Sequence, residues 1–259
     1  MMNQTISILG CGWLGKQLGA SLLSRGYEVR GSTTSEANVA ALDAIGIIPF
    51  VFDVENVPAE VRSFFHTDVL IISLPPRIRV QKGEQYILQI KEAMNAARSG
   101  NVGNIIMFST TSVYPDLNRL VTEQDADPAH PVVRAERIVQ LSGIGNTIIR
   151  FAGLFGMGRE PGRFLAGKKD VPGALTFVNL IHADDCVGIV RRIIEENAWG
   201  HILNACADDH PTKKEFYTKA ATALGMEPPT LVDTPADYKI VSNSRLKEVL
   251  CYQMIHRLS

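Results

Sequence analysis

Three glycines are the residues of this 259-residue chain that point most directly to chemistry. Gly10, Gly12 and Gly15 form the pattern G-x-G-x-x-G between an apolar run typical of a strand, Thr5–Leu9, and a helical pattern of leucines. In such a loop the first glycine permits a tight turn, the second admits a pyrophosphate, and the third lets the helix pack closely. The pattern predicts a dinucleotide site at the start of the first helix. The alternative is a glycine-rich turn that binds nothing.

The same segment also fits the phosphate loop of a nucleoside triphosphatase. Residues 10–16 read G-x-x-x-x-G-K and end at Lys16. Such a loop requires Ser or Thr next, to hold magnesium, and this chain has Gln17. A nucleoside triphosphatase also has an acidic residue at the end of a second strand of its nucleotide site. Asp53, which follows the third predicted strand, resembles this residue in position. Because the hydroxyl is missing, the sequence favours the dinucleotide site.

The end of the second predicted strand discriminates NAD from NADP. An NAD site usually has a carboxylate there, about 20 residues beyond the loop, which binds the ribose 2′-OH. Here the corresponding segment contains Arg30, Ser32, Thr33 and Thr34, and its first acid is Glu36. Hydroxyls and a guanidinium accept a 2′-phosphate, which a carboxylate repels. We expect NADP, with NAD as the alternative. The Ser/Thr segment from Ser32 to Ser35 also suits the start of a helix with Ser35 as its N-cap. Binding of a 2′-phosphate and capping of this helix are compatible.

Two further groups of residues carry chemistry of other kinds. His182, Asp184 and Asp185 are residue types that bind metals. The favoured interpretation is that Asp184 or Asp185 caps the following helix, so we expect no metal. A local excess of positive charge comes from Arg150, Arg159, Arg163, Lys168 and Lys169. These residues either face an anionic substrate or belong to a solvated loop.

The elements that position these residues alternate regularly. Apolar runs typical of strands are expected at residues 5–9, 27–30, 47–52, 69–72, 105–108, 147–151 and 202–205, with amphipathic helical patterns between them. Val69–Ile72 is wholly apolar, as in a parallel strand covered on both faces, and Pro49 indicates an outer strand. The alternation predicts an α/β protein with a doubly wound parallel sheet, the Rossmann fold.

Two segments interrupt this alternation. Residues 152–180 are rich in Gly and Arg, and residues 226–259 contain several prolines and weak elements. We expect a dinucleotide-binding domain at 1–151 and 177–206. Residues 152–176 and 207–259 are expected to form a small C-terminal cap on the substrate side, which does not fold independently.

Composition excludes several classes of protein. The net charge is −1, from 26 basic and 27 acidic residues, without the basic surface typical of nucleic-acid binding. We expect no membrane span, and no signal peptide because the amino-terminal residues lack a basic region. The cysteines are Cys11, Cys186, Cys206 and Cys251, too far apart for a C-x-x-C pair. Free thiols of this kind indicate a cytoplasmic protein.

These motifs together resemble the short-chain dehydrogenase/reductase superfamily in its extended form, the NAD-dependent epimerase/dehydratase family, and within it the atypical YeeZ-like branch. The resemblance covers nearly the whole chain. Besides the glycine loop, it depends on Phe52-Asp53-Val54, Leu74-Pro75-Pro76, the segment from Ser109 to Tyr114, the segment from Arg150 to Gly156, and His182-Ala-Asp-Asp185.

The resemblance implies roles for individual residues. The glycine-loop residues Gly10, Gly12, Trp13, Leu14 and Gly15 would contact the cofactor. Asp53 and Val54 would flank the adenine, and Ser73, Leu74 and Pro75 would lie along the inner ribose. The Thr110 hydroxyl would hydrogen-bond the reacting oxygen of the substrate, although a Ser/Thr cluster at a strand end also satisfies backbone groups. A homodimer through the helices after strands four and five is a further implication.

The chain departs from the family at its proton relay. The family uses a Tyr in Y-x-x-x-K, where the Lys lowers the pKa of the phenol, and none of the six tyrosines here has a Lys four residues later. If Glu136 marks the family's helix, Pro128 and Val132 occupy the Tyr and Lys positions. Candidate substitutes are His130, which lies four residues before Arg134, and Tyr114.

Two functions fit these observations. One is a NADP-linked oxidoreductase or epimerase/dehydratase that performs hydride chemistry on a sugar-like or anionic small molecule. The other is a NADP-binding sensor or regulator without turnover, which retains the cofactor loop and lacks the relay. Neither involves nucleic acid or a membrane.

Overall fold

The computed structural model describes residues 4–76 and 83–259, in which strands alternate with helices. The strands are β1 (Thr5–Leu9), β2 (Glu28–Thr33), β3 (Ile48–Val51), β4 (Val69–Ile72), β5 (Asn104–Thr110), β6 (Arg119–Val121), β7 (Gly145–Phe151), β8 (Gly153–Phe155), β9 (Val171–Pro172), β10 (Leu180–His182), β11 (His201–Ala205), β12 (Leu231–Val232) and β13 (Lys239–Val241). The helices are α1 (Trp13–Leu23), α2 (Val39–Asp43), α3 (Gly83–Ser99), α4 (Pro131–Gln140), α5 (Gly162–Leu165), α6 (Ala183–Glu195), α7 (Lys213–Ala223) and α8 (Ser244–Leu250). Short 3-10 segments occur at Glu36–Asn38, Ala59–Phe65, Thr111–Val113 and Glu123–Asp125.

Seven of the strands in the described residues form one central sheet in the order β11-β7-β5-β4-β1-β2-β3. The pairs β5–β4, β4–β1, β1–β2 and β2–β3 are parallel. All four residues of β4 are buried, as expected of a strand that is shielded on both faces. β3 lies at the edge of the sheet, where a strand pairs on one side only. Pro49, which has no backbone N–H, is tolerated in such a strand. The predicted Rossmann architecture is confirmed.

Three short parallel pairs lie outside the central sheet and were not predicted. β8 pairs with β10, β9 with β12, and β6 with β13. Each strand has only two or three residues, too few for a periodic pattern, and its partner lies far away in the chain. The segment expected to be irregular therefore contains β8, α5 and β9.

Local capping signals explain where several helices begin. α4 begins at Pro131. The sequence places Thr212 three residues before Glu215, the spacing of a capping box, and in α7 these two residues bond to each other's backbone N–H. The sequence predicted that the Ser35 side chain caps the helix after β2, and this prediction is correct in position but not in the hydrogen bond. Ser35 occupies the cap position without a side-chain cap bond, and Thr33 Oγ1 accepts the Ser35 N–H at 3.2 Å instead.

The chain divides into two compact units. The first unit comprises Met1–Ser109, Pro128–Ile149 and Val190–Ile202, and the second comprises Thr110–Asp127, Arg150–Ile189 and Leu203–Ser259. The domain bounds given from sequence stay a prediction. None of the helices in the described residues is long and apolar enough to cross a membrane.

The central sheet gives a first prediction. Ile71 in β4 is fully buried, whereas Ile48 in the edge strand β3 is 44% exposed. Ile71→Ala leaves a cavity and should lower the free energy of unfolding by about 2–5 kcal/mol. Ile48→Ala, the matched control, should cost about 1 kcal/mol or less. Urea unfolding followed by circular dichroism measures both, and equal losses would contradict the central position of β4.

Candidate functional site

The turn between β1 and α1 requires glycine at its first position. Gly10 has φ +83°, a left-handed conformation that side chains rarely adopt. A Cβ there would lie 3.1 Å from the Ser73 carbonyl oxygen and 3.2 Å from Leu74 Cδ2, at the end of β4. The chain therefore passes so close to its neighbour that a glycine is needed for both space and conformation.

The other two glycines of the loop have different surroundings. Gly12 is exposed, and a Cβ on it would meet no atom nearer than 4.0 Å. Gly15 is buried, and a Cβ there would lie 3.3 Å from both Cys11 Sγ and Ile8 Cγ2. Gly12 thus leaves open space above the turn, while Gly15 allows α1 to pack closely on β1.

The amino end of α1 suits a phosphate. Gly12 occupies the N-cap without a side-chain cap bond, and the first turn of α1 contains no acidic residue. The helix dipole and the first N–H groups of α1 are therefore uncompensated by the helix's own side chains. Trp13 is half-buried and Leu14 is buried, so Leu14 anchors this end of the helix in the core.

The hydroxyls at the end of β2 do not share one environment. Ser32 is buried, and its Oγ accepts the Gly10 N–H at 2.8 Å, so this side chain holds the glycine turn. Thr33 Oγ1 accepts the Ser35 N–H and the Asn38 side-chain amide in the turn that precedes α2. Thr34 is exposed. Of the three predicted hydroxyls, Thr34 is the one that presents its side chain to solvent.

Arg30 is turned away from this strand end. Its guanidinium donates to Glu28 Oε1 at 2.7 Å and to the carbonyl oxygens of Ser63 and His66 at 2.6 and 2.9 Å. It ties β2 to the 3-10 segment before β4. The expectation that Arg30 helps to accept a 2′-phosphate is wrong in this structure, since its donors are already used.

The remaining predicted cofactor residues also lie at strand ends of the first unit. Asp53 is exposed after β3, and its Oδ1 accepts the Glu55 N–H at 3.0 Å, while Val54 is buried. Ser73, directly after β4, donates its N–H to the Leu9 carbonyl at 2.8 Å. Leu74 is half-buried beside Gly10, and Pro75 is exposed.

Thr110 is the last residue of β5 and is half-buried. Its Oγ1 accepts the Ser112 N–H at 3.1 Å and so caps the following 3-10 turn. It also lies 3.2 Å from Ser112 Oγ. The backbone-satisfying role expected of a Ser/Thr cluster is therefore present, and the hydroxyl retains the capacity for a further hydrogen bond.

Tyr114 is enclosed in the second unit. Its hydroxyl donates to Asn204 Oδ1 at 2.5 Å and accepts from Arg150 Nη1 at 2.8 Å. Burial raises the pKa of Tyr114 to about 12, although the Arg150 guanidinium acts in the opposite direction. Arg150 itself is 2% exposed, so it stabilises this interior group and does not belong to the exposed basic surface that was expected.

His130 is half-buried at the N-cap of α4, where its Nδ1 accepts the Val132 N–H at 3.2 Å. An accepting Nδ1 means that the neutral ring carries its proton on Nε2. Arg134 forms an ion pair with Glu84 at 2.6 Å. The structure therefore keeps His130 and Arg134 at the start of the helix but gives them separate partners.

Glu136 is a polar residue that sequence reasoning did not assign. It lies on the inner face of α4 with Val132 and Val139, is 1% exposed, and accepts the Ser109 hydroxyl at 2.5 Å. Its spacing from these two valines is the sequence signal that identifies it, because positions four and three residues apart share a helix face. A buried carboxylate beside the end of β5 restrains this strand.

Comparison with known proteins agrees with this geometry. Residues 10–176 match the sequence model of the NAD(P)H-binding family. Protein YeeZ of Escherichia coli (strain K12) is 35% identical over 263 residues, covering 96% of this chain and 94% of that protein.

Solved structures with a similar fold include two with bound NAD. A short-chain dehydrogenase/reductase superfamily protein from Agrobacterium tumefaciens has a TM-score of 0.77 at 20% identity, covering 98% of this chain and 93% of that one. UDP-glucuronic acid 4-epimerase from Bacillus cereus, in complex with UDP-glucuronic acid and NAD, has a TM-score of 0.79 at 17% identity, covering 98% and 95%. These likenesses show a shared fold.

The packing around the glycine turn predicts which thiols react. Burial raises the pKa of Cys11 and of Cys206 to about 12 and holds that of Cys186 well above its usual value, whereas Cys251 is exposed. At about pH 8 the buried thiols stay protonated, and the thiolate is the reactive form. We expect an aromatic disulfide reagent to modify one thiol of the native protein rapidly. The Cys251→Ser variant should lose this phase; its persistence would contradict the burial of Cys11.

Proposed function

This chain belongs to the NAD(P)H-binding family and to the YeeZ-like branch of the short-chain dehydrogenases/reductases, and we propose that it uses NADP in hydride chemistry on a small anionic, sugar-like molecule. The observation that carries the proposal is the turn from Gly10 to Gly15. Its first glycine is confined beside β4, its second leaves open space, and its third brings α1 against β1.

The residues of the first unit fit the dinucleotide. The open position at Gly12 and the uncompensated N–H groups of α1 suit a pyrophosphate. Asp53 and Val54 after β3 would flank the adenine, and Ser73 to Pro75 after β4 would contact the ribose. When bound, the cofactor supplies or accepts the hydride.

The preference for NADP follows from the end of β2. A carboxylate there would bind the 2′-OH of NAD and repel the 2′-phosphate of NADP, and this strand ends without one. Exposed Thr34 is the hydroxyl available to the phosphate. Ser32 supports it indirectly, because it holds the glycine turn.

The chemical step would use residues other than a Tyr-Lys pair. Thr110 would hydrogen-bond the reacting oxygen of the substrate while its Oγ1 caps the 3-10 turn. His130, with its proton on Nε2, would exchange a proton with the substrate. Tyr114 would shape the substrate side as a neutral phenol, because burial raises its pKa to about 12 and so disfavours proton release.

The anionic substrate is supported by the second unit. Arg159, Arg163 and Lys168 are exposed there, whereas Lys169 is paired with Glu227. The solved epimerase with UDP-glucuronic acid binds an anionic nucleotide sugar on the same fold. A nucleotide sugar of this class is the substrate that we would test first.

The second candidate is a NADP-binding sensor or regulator without turnover. The specific observation in its favour is that the sequence contains no Y-x-x-x-K. Both candidates require cofactor binding, and they differ only in whether hydride transfer follows.

Gly12→Ala tests the cofactor site. A Cβ at Gly12 has room, but the φ and ψ of Gly12, −86° and −145°, lie outside the regions that L-residues favour, so unfolding should become easier by about 1–3 kcal/mol and binding is measured well below the Tm. The methyl group would occupy the space proposed for the pyrophosphate, and the affinity for NADPH should fall at least about tenfold, or about 1.4 kcal/mol. Calorimetric titration measures this affinity. Absence of binding to the wild-type protein, or equal affinity in the variant, would refute the site.

Thr34→Asp tests the choice of dinucleotide. The carboxylate should repel the 2′-phosphate and weaken NADPH binding by about tenfold or more, while NADH binding falls less or improves. Thr34→Asn is the matched control, since it has the same shape without the charge. Equal losses for NADPH and NADH in Thr34→Asp would contradict the proposed position of the 2′-phosphate.

Thr110→Val separates enzyme from sensor. We expect the wild-type protein with NADP(H) to turn over a UDP-sugar or a related keto compound, measured by nicotinamide absorbance and by chromatography of the sugar. Loss of the Thr110 hydroxyl should lower kcat by about 100-fold, whereas Ser112→Ala should leave it close to wild type. Cofactor binding without turnover of any such compound would favour the sensor. Turnover that is unchanged in Thr110→Val would remove this residue from the mechanism.

A further inference from the structure

A buried aspartate holds the C-terminal segment against the start of α6. Asp185 is 1% exposed, and its carboxylate accepts bonds from Tyr252 Oη at 3.1 Å, from the backbone N–H of Ile255 at 2.7 Å and from that of His256 at 3.1 Å. His256 Nδ1 lies 3.2 Å from the same carboxylate. Asp185 therefore anchors a distant segment of the chain. The sequence had suggested a different role, in which Asp184 or Asp185 caps the helix.

This anchoring places two histidine rings together. The rings of His256 and His182 stack with their centroids 3.7 Å apart and an angle of 22° between their planes. Phe155 packs edge-on against His182 at 5.0 Å. Gly156 leaves the space that the ring needs, because a Cβ on it would lie 2.0 Å from His182 Nε2. The orientation of His182 is thus determined by its packing.

Asp184 completes a group of three converging acceptor atoms. Its Oδ2 lies 3.4 Å from His182 Nδ1 and 3.4 Å from His256 Nε2. One ligand atom from each of the three residues lies within 4.8 Å of the others. Two ligand atoms bound at 2.0–2.1 Å to one tetrahedral ion are about 3.3–3.4 Å apart. The two measured distances equal this separation.

The hydrogen bonds indicate that these atoms present lone pairs. His256 Nδ1 faces the Asp185 carboxylate, so it donates its proton there and leaves the Nε2 lone pair directed at Asp184. His182 Nδ1 accepts the Asp184 N–H at 3.1 Å, so it too carries a lone pair. Acceptors that face each other at 3.4 Å repel unless a positive charge lies between them.

We propose that His182, Asp184 and His256 bind one divalent transition-metal ion, with Zn²⁺ as the natural occupant. Imidazole and carboxylate ligands in a tetrahedral arrangement suit zinc. Asp185 then has the role that a carboxylate commonly has behind a metal-bound histidine, in which it fixes the tautomer and the ring of His256. The sequence had suggested no metal here, because His256 is more than 70 residues from Asp184.

The electrostatic surroundings and the exposure agree with a cation site. The carboxylates of Asp184 and Asp185 lie within 3.4 Å of ring nitrogens of His182 and His256, so negative charge surrounds the position proposed for the ion. The side chains of Asp184 and His256 are 41% and 33% exposed, so an ion and a water ligand have access.

The site would connect the C-terminal segment to α6. The ion would replace the hydrogen bond from the Asp184 N–H to His182 Nδ1 and would tilt the two stacked rings apart, because their lone pairs lie in ring planes only 22° from parallel. It would add bonds between two segments that are distant in the chain. Its effect would be on stability, independent of the dinucleotide site. The competing explanation is a proton on His256 Nε2, which would bridge Asp184 and Asp185 without any metal.

The test titrates metal into the full chain after chelator treatment and removal of any affinity tag. We expect one equivalent of Zn²⁺ by calorimetry, a rise in Tm with Zn²⁺, and the visible absorption of tetrahedral Co²⁺ when cobalt is used as the probe. His256→Asn retains an amide near the Nδ1 position for Asp185 but lacks Nε2, and Asp184→Asn retains the shape of the carboxylate. Each should weaken binding by at least about tenfold.

His66→Asn is the matched control, because His66 is exposed in the first unit and lies outside the group. It should bind metal like the wild type. Absence of saturable binding at about 100 μM metal, or equal binding in His256→Asn and Asp184→Asn, would overturn the proposal. If a variant fails to fold, the cobalt spectrum of the wild-type protein decides alone. NADPH titration of the same variants keeps this result separate from the proposed function.

Discussion

The close approach of Gly10 to the end of β4 is the constraint on which the first unit depends. A Cβ on Gly10 would crowd the Ser73 carbonyl oxygen at 3.1 Å, and the positive φ of Gly10 favours glycine. The Ser32 hydroxyl holds the same turn from the β2 side. β1 pairs with β2 and β4 beside this turn, and α1 begins directly after it. The proposed phosphate site therefore lies where the packing of the fold already requires a glycine turn.

Buried polar groups organise the second unit in a comparable way. Tyr114, Arg150 and Asn204 satisfy one another in the interior, and Asp185 anchors the C-terminal segment by several hydrogen bonds. Each group would be costly to bury alone, because an unmade hydrogen bond in the interior is not replaced by water. These networks tie together parts of the chain that are far apart in sequence, and so stabilise a unit whose strands are very short.

The two sets of observations bear differently on function. The glycine loop and the family match agree on NAD(P)H binding, and the relative at 35% identity spans nearly the whole chain. The family's proton relay has no such support, because the Tyr-x-x-x-Lys motif is missing from the sequence. Tyr114 is not a substitute, because burial raises its pKa and keeps it a neutral phenol. A proton carrier in this protein would have to be a group such as His130, whose pKa range lies near neutrality without help from a lysine.

The sequence by itself determined the seven strands of the central sheet and their alternation with helices, the edge position of β3, the glycine turn and the capping box of α7. These features depend on neighbouring residues, on periodicity, or on the special geometry of Gly and Pro, so a local reading suffices. Only the tertiary structure decided that Ser32 supports the turn, that Arg30 and Arg150 bond to protein groups, and that His256 meets His182. Those outcomes depend on contacts between residues 20 to 75 positions apart, which a linear pattern does not record.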